Sequence, residues 1–387
     1  MRFIAFVLIF GISLNVYAQK KNSQFDHIEE VMLVIPDSLT SSTSGISNYI
    51  DLNFTTETDK SRALFFWITS NIEYDIDNLF AINFYKNANE VIDEVLRTKK
   101  GICMHYAELY NLIANKIGIR SYVVSGYTNQ NGYINYVPHV WCASNIDSNW
   151  YLIDPTLGSG YIKNSKFYKK INYHYFKTEP EQIIKTHMPF DPLWQLLNYP
   201  FSNKEFYEGK TTINKLRPFF DFHKLIKQFE QLTEIEKLET SSKRIEQNGV
   251  QNALVFDRLQ HIKRDIEYYN NKMLFARYNS AVNLYNEGIN QLNRFINFRN
   301  KQFLPKKTDA EIQEMVDLAI NTLNNSREKL KEIESSNFEN SVIQLNNSID
   351  EAMLNLNEQN EFLDKYFKTG IMSRKSLFYN SKWKGYD

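Results

Sequence analysis

Three residues of this 387-residue chain have the types and the order that suit nucleophilic chemistry: Cys103, His139 and Asp154. A cysteine attacks as its thiolate, which is favoured at a helix N-terminus and beside an imidazolium. Cys103 stands at the first position of a predicted helix, directly after Gly101-Ile102, where the helix dipole stabilises negative charge. Gly101 permits a sharp turn into that helix. A base must reach the sulfur from another element. His139, in Pro138-His139-Val140-Trp141, lies on a predicted strand. The third group accepts a hydrogen bond from the far ring nitrogen and so fixes tautomer and orientation. Asp154 closes the next predicted strand, Trp150-Tyr151-Leu152-Ile153-Asp154.

The remaining candidates read as structural. Cys142 alternates off the His139 face of its strand and suits a small packing residue. A Cys103–Cys142 disulfide is the alternative use of the pair. His105 lies on a different helix face from Cys103 and reads as local scaffolding. Neither His174 nor His187 has a cluster of Cys, His and Asp around it in sequence, so no metal site is expected. No acidic loop of the calcium-binding kind is present, and no cofactor is expected.

The elements that must position the three residues follow from periodicity and turn chemistry. Residues 59–74 read as a helix, with Ala63, Phe66, Trp67 and Ser70 at helical spacing and Asp59 as its cap. A second helix is predicted at 88–96. The Cys103 helix runs to 117, with Ala107, Tyr110, Ala114 and Ile117 as a stripe and Gly118 as its stop. Strands are predicted at 121–127, 136–143 and 150–154, with turns at 128–132 and 147–149. A hairpin between the last two strands brings His139 and Asp154 together. Helix followed by antiparallel strands gives an α+β domain with the helix packed on a small sheet.

These residues together resemble the transglutaminase-like superfamily, whose core is papain-like. Its Gly-x-Cys with a following aromatic-Ala stands here as Gly101, Cys103, Tyr106 and Ala107. Its His-x-Trp is matched by His139 and Trp141, and its Trp…Asp-Pro-Thr by Trp150 with Asp154-Pro155-Thr156. Upstream, Phe66-Trp67 and Ile72-Glu73-Tyr74-Asp75 are similar to the helix and Ile-x-Tyr that precede the cysteine. The resemblance covers about residues 59–161. It implies Cys103, His139 and Asp154 as catalytic residues. Attack on a peptide or protein amide would give a thioester, with hydrolysis favoured over acyl transfer. The Cys103 N–H is one oxyanion donor, and Tyr74 is a candidate for the second. Trp141 and Tyr106 are further candidates for the substrate cleft. A non-catalytic binding module on the same fold is the alternative.

Outside that core the sequence is less specific. Residues 19–58 are polar, with one apolar run at 31–35, and read as a linker with some ordered structure. Residues 176–195 are dense in aromatics and prolines, suiting either a wall of the cleft or a packed connector. From 220 to 369 the strands disappear. Ile312, Val316, Ala319, Leu323, Ser326, Leu330 and Ile333 form a heptad stripe that breaks and resumes in a new phase at Phe338, Val342, Leu345, Ile349, Ala352 and Leu356. Three long helices are predicted, at 220–247, 251–303 and 308–367. They would form an antiparallel bundle or coiled coil, closed within one chain or by self-association. The resulting domain plan is a signal peptide at 1–18, a segment at 19–58, the core with its extension at 59–204, and the helical region at 205–387. Met1-Arg2, the apolar run to Leu14 and Val16-Tyr17-Ala18 predict cleavage after Ala18 and export, to the periplasm or outside the cell. No later apolar run is long enough to span a membrane. With 45 basic and 45 acidic residues the net charge is zero, so a nucleic-acid partner is not expected.

Overall fold

The structure is a computed structural model describing residues 26–78, 88–130, 132–210, 212–334 and 337–379. The leader expected at 1–18 lies outside the described residues. The chain divides into two compact units, Met1–Ile262 and Lys263–Asp387.

The first unit opens with helices α1 (Asp26–Leu33), α2 (Thr43–Asn53) and α3 (Glu57–Asn71). The segment expected to be a linker is therefore largely helical, and it is packed: Ile28, Met32, Ile46 and Ile50 are all buried in the main core. Its Ser and Thr content is capping chemistry. Ser42 accepts from Gly45 N at 3.0 Å, and Thr56 accepts from Asp59 N at 3.1 Å. Thr56, rather than Asp59, is thus the cap of α3. Every residue from 61 to 69 is buried, because α3 is covered on all sides. Strand β1 (Glu73–Tyr74) follows, then α4 (Ala88–Thr98), β2 (Lys100–Gly101) and α5 (Cys103–Lys116).

Next come β3 (Ser121–Gln130), β4 (Tyr133–Ile134), β5 (His139–Ile146) and β6 (Asn149–Ile153). They form an antiparallel sheet in the order β4-β3-β5-β6. Ile146 pairs with Asn149, leaving Asp147 and Ser148 as a two-residue loop with φ of 50° and 67°. Positive φ at both loop residues matches the strand twist and sets the hairpin register. The chain continues through α6 (Pro155–Ser159), the hairpin β7 (Gly160–Lys163) and β8 (Lys166–Lys169), α7 (Pro180–Ile183) and β9 (His187–Pro189). Strand β9 pairs with β3, Thr128 opposite His187 and Gly126 opposite Pro189. That distant partner carries β3 through residues expected to turn.

Helices α8 (Asn203–Tyr207), α9 (Phe222–Phe229) and α10 (Glu234–Asn248) complete this unit. The helical region expected from 205 therefore begins inside it. Phe222 and Ile226 pack with Leu193 and Trp194. Tyr122 Oη donates to Glu230 Oε1 at 2.8 Å, and Arg244 donates to both Asp191 oxygens at 2.8 and 2.6 Å. These contacts pack the end of the aromatic segment, Asp191 to Trp194, into the core, while Thr186 and His187 of the same segment line a cleft.

Helix α11 (Ala253–Asn300) leads into α12 (Asp309–Lys331) and α13 (Glu339–Lys368). The two outer predicted helices are each two helices. Thr233 caps α10 in a reciprocal box with Glu236, and the heptad phase shift falls where α12 ends. In the second unit, Ser326 Oγ donates to Ala281 O at 2.7 Å, Gln313 Nε2 to Asn360 Oδ1 at 3.0 Å, and Arg299 Nη1 to Gln359 Oε1 at 2.6 Å. Successive helices run antiparallel, and the stripe from Ile312 to Leu330 is buried against its neighbours within the chain. Among the described residues, no helix is long and apolar enough to cross a membrane.

Candidate active site

Cys103 is the first residue of α5 and is half-buried, with a free thiol. The approach to it is built by short-range contacts. The pairing of β1 with β2 sets Tyr74 opposite Gly101, and Asp75 N donates to Gly101 O at 3.0 Å. Ile102 N donates to His105 Nδ1 at 3.2 Å. A Cβ on Gly101 would stand 2.8 Å from His105 Cβ, so the glycine is needed for this folded-back imidazole. Burial lowers the His105 pKa, which keeps the ring neutral and Nδ1 an acceptor. Because Cys103 opens the helix, its N–H has no intrahelical carbonyl to bond.

His139 opens β5, and Asp154 follows the last residue of β6. The β5–β6 hairpin joins them: Nε2 of His139 lies 2.6 Å from Oδ2 of Asp154. The Cys103 sulfur lies near enough to the same imidazole to raise its pKa. With Nε2 committed to the carboxylate, Nδ1 is the nitrogen left to face the thiol. The His139 side chain is 12% exposed. Burial alone would lower its pKa, but the Asp154 carboxylate and the Cys103 sulfur outweigh this and push it up to about 10.

Asp154 is fully buried. Its Oδ1 accepts from Thr156 N at 2.9 Å and Leu157 N at 3.0 Å, capping α6. Its Oδ2 accepts from His139 and also from His187, whose Nε2 is 3.1 Å away. Burial would raise the Asp154 pKa. The positive charge of His139 and the two imidazole hydrogen bonds overcome it and hold the carboxyl well below the usual range. His187 was read as isolated; the pairing of β9 with β3 brings it in, and only its strand-like His-Met-Pro context could have hinted at that. His139, Asp154 and His187 have donor atoms within 4.8 Å of one another. Ligands of a tetrahedral zinc at about 2.0–2.1 Å would lie ~3.3 Å apart. The 2.6 Å His139–Asp154 separation is instead a hydrogen bond, and both carboxylate oxygens already hold two donors each, so the cluster does not fit a metal.

A cleft of about 780 Å³ opens onto His139, His187 and Tyr74. Tyr74 is half-buried, and burial followed by the charges of Cys103 and Asp154 keeps its hydroxyl protonated, hence a donor. Trp141 and Tyr106 do not line this cleft; both are fully buried. Trp141 stacks on His139 at 5.9 Å with 28° between planes, and Tyr106 Oη donates to Ile72 O at 2.8 Å. Their size and apolar surface are used in the core, so they support the site from behind. Cys142 Sγ donates to Ala107 O at 3.3 Å, and burial pushes its thiol well above the ordinary range.

Residues 44–155 match the family model of the transglutaminase-like superfamily. Residues 44–155 are a transglutaminase-like domain. Over 159 residues the chain is 35% identical to kyphoscoliosis peptidase of Homo sapiens, covering 39% of this chain and 24% of that protein. It is 23% identical to Hillarin of Drosophila melanogaster over 203 residues, 47% of this chain and 24% of the relative. The chain thus spans about a quarter of the length of these relatives. A solved crystal structure of a TGase is 22% identical, covering 42% of this chain and 38% of that one, with a TM-score of 0.23. The transglutaminase-like segment contains Tyr74, Cys103, His139 and Asp154; His187 lies beyond it.

Proposed function

We propose that this protein is a cysteine peptidase or amidase, with Cys103 as nucleophile, His139 as general base and acid, and Asp154 as the group that orients His139. The observation carrying this reading is the imidazole held by Asp154 on Nε2 at 2.6 Å, with Cys103 at the start of its helix close enough to raise the His139 pKa. The proton of the thiol passes to His139, and the thiolate attacks the amide carbon. The Cys103 N–H and the Tyr74 hydroxyl stabilise the oxyanion. The imidazolium returns its proton to the leaving amine, and a thioester remains. His139 then takes a proton from water, hydroxide adds to the thioester carbon, and collapse releases the acid and restores the thiol. An amine in place of water would complete acyl transfer by the same steps.

The cleft suits an uncharged stretch of polypeptide. Among its described lining residues, Lys170 is the one lysine or arginine, and no carboxylate is present. Asn129, Asn135 and Asn172 offer amides to a peptide backbone, while Tyr161, Ile162 and Phe167 offer apolar surface. We further propose, from the sequence of residues 1–18, that the chain is exported.

The decisive measurement is the pH dependence of Cys103 alkylation by iodoacetamide, resolved from Cys142 by peptide mass spectrometry. Labelling that stays fast well below the ordinary thiol pKa of about 8.5, and slows in His139→Ala, supports the assignment. Slow labelling with an ordinary thiol profile that ignores the mutation rejects it.

A further inference from the structure

His187 has no part in the mechanism above, yet its place is unusually well defined. The side chain is 1% exposed, and both ring nitrogens have partners: Asp154 Oδ2 at 3.1 Å on Nε2 and Thr186 Oγ1 at 2.8 Å on Nδ1. An ionised carboxylate only accepts, so Nε2 must carry the hydrogen. Nδ1 is then free to accept from the Thr186 hydroxyl, whose other contact, to Ile183 O, is longer at 3.2 Å. The ring is also held edge-on against Trp141, with centroids 5.1 Å apart and planes at 85°. Room for this comes from Gly126, where a Cβ would come within 2.5 Å of the Trp141 ring and 2.2 Å of Met188 O.

We propose that His187 is a positioning residue of this site, a second imidazole donor that fixes the Asp154 carboxylate in the orientation that receives His139. This rests on the catalytic reading of Cys103, His139 and Asp154. With His139 as its one partner, Oδ2 could swing with the carboxylate plane about the anchored Oδ1. With Thr156 N and Leu157 N on Oδ1, and His187 on Oδ2, one orientation meets every donor at once. His139 then finds Oδ2 already in place when it gains or loses its proton. A neutral donor is required, since a second imidazolium would compete with His139 for the carboxylate charge. Burial favours the neutral ring, partly opposed by the hydrogen bond to Asp154. The titratable groups facing His187 are Asp154 and His139, with His174 and Tyr175 from the segment before α7. Those feeling the Asp154 charge are His139, His187, Tyr74, Tyr175 and the buried Cys142.

The test is the pH profile of Cys103 alkylation by iodoacetamide in the full chain, compared among wild type, His187→Leu and His187→Gln, with His139→Ala as reference. A leucine fills the space and donates nothing. Asp154, one donor short in a buried place, takes up a proton more readily. The acid limb should move up by about one pH unit or more. Glutamine places an N–H near the position of Nε2 and should recover most of the wild-type profile. As a readout independent of variants, 15N NMR of the wild-type imidazoles should show the His187 ring neutral and protonated at Nε2 at pH 7. A His187→Leu profile superimposed on wild type, a glutamine variant no better than leucine, or a His187 ring that is cationic at pH 7 overturns the inference. An ordinary thiol profile in the wild type overturns the functional reading and this inference with it. A steep wild-type profile, abolished by His139→Ala and untouched by His187→Leu, overturns this inference alone.

Discussion

The two units of this chain bury different things. In the helical unit, the buried surface is mostly one repeated apolar stripe, Ile312 to Leu330 against Ile349 to Leu356, with Arg299–Gln359 as a polar exception. In the first unit, an ionised carboxylate, two imidazoles and a half-buried thiol are assembled around α5, β5, α6 and β9. Dispersed apolar contacts tolerate the loss of one partner at a cost proportional to volume. A buried polar network fails when one member leaves, because the remaining groups keep their desolvation and lose their partner. The first architecture suits a scaffold, the second a site.

That contrast is best broken at its extremes. Cys103→Ala should lower any amide-cleaving activity by about 10³-fold or more and leave the melting temperature near that of the wild type, whereas His139→Ala should lower activity as much and also lower the melting temperature, because the buried Asp154 loses a partner. Loss of folding with activity would show that the network is structural. Leu323→Ala in the helical unit, where the leucine is fully buried against Gly288, should cost about 2–5 kcal/mol in chemical denaturation. The Cys103 alkylation profile should be unchanged; a shifted profile would mean the stripe serves the site. Gly126→Ala, which forces a Cβ against Met188 O and the Trp141 ring, should cost about 1–3 kcal/mol and also slow alkylation, because the same ring backs His139 and His187.

The pH dependence of stability separates the units in another way. The His139 pKa is raised to about 10, so its contribution is fully present below the unfolded value of about 6.5 and is lost as pH rises toward 10. The Asp154 pKa is depressed, so its contribution is present above about 3.9 and is lost as pH falls through the lower folded value. Asp154→Asn should remove both slopes from the denaturation curve of the first unit; slopes that persist would assign them to other groups. The smallest effect expected is that of Thr186→Val, which removes the hydroxyl partner of His187 Nδ1 and should slow Cys103 alkylation about threefold.

Local chemistry was the legible part of this protein. Cys103 after Gly101-Ile102, the start of α5, the Asp147–Ser148 turn and the order Cys, His, Asp could all be read along the chain, since each depends on neighbours within a few residues. The heptad stripe and its phase break were legible for the same reason, although the break separates two helices where one was expected over 308–367. The reading of 19–58 as a linker with some ordered structure understated residues 26–58, because the capping roles of Ser42 and Thr56 resemble loop composition until the apolar face they introduce is seen packed. Trp141 and Tyr106 were misplaced because aromatic residues flanking a nucleophile and a base suit a cleft and a core equally; only depth distinguishes them.

The sequence by itself determined which groups could carry the chemistry, because residue type sets what can be a nucleophile, a base or an acceptor, and short-range spacing sets the helix and hairpin that hold them. Tertiary structure alone decided the rest. It drew β9 onto the far edge of β3, set His187 on Asp154 from a point 33 residues along the chain, and buried the carboxylate deeply enough that its partners control its charge. No local pattern encodes these features, because strand pairing at that separation is chosen by the packing of the whole sheet.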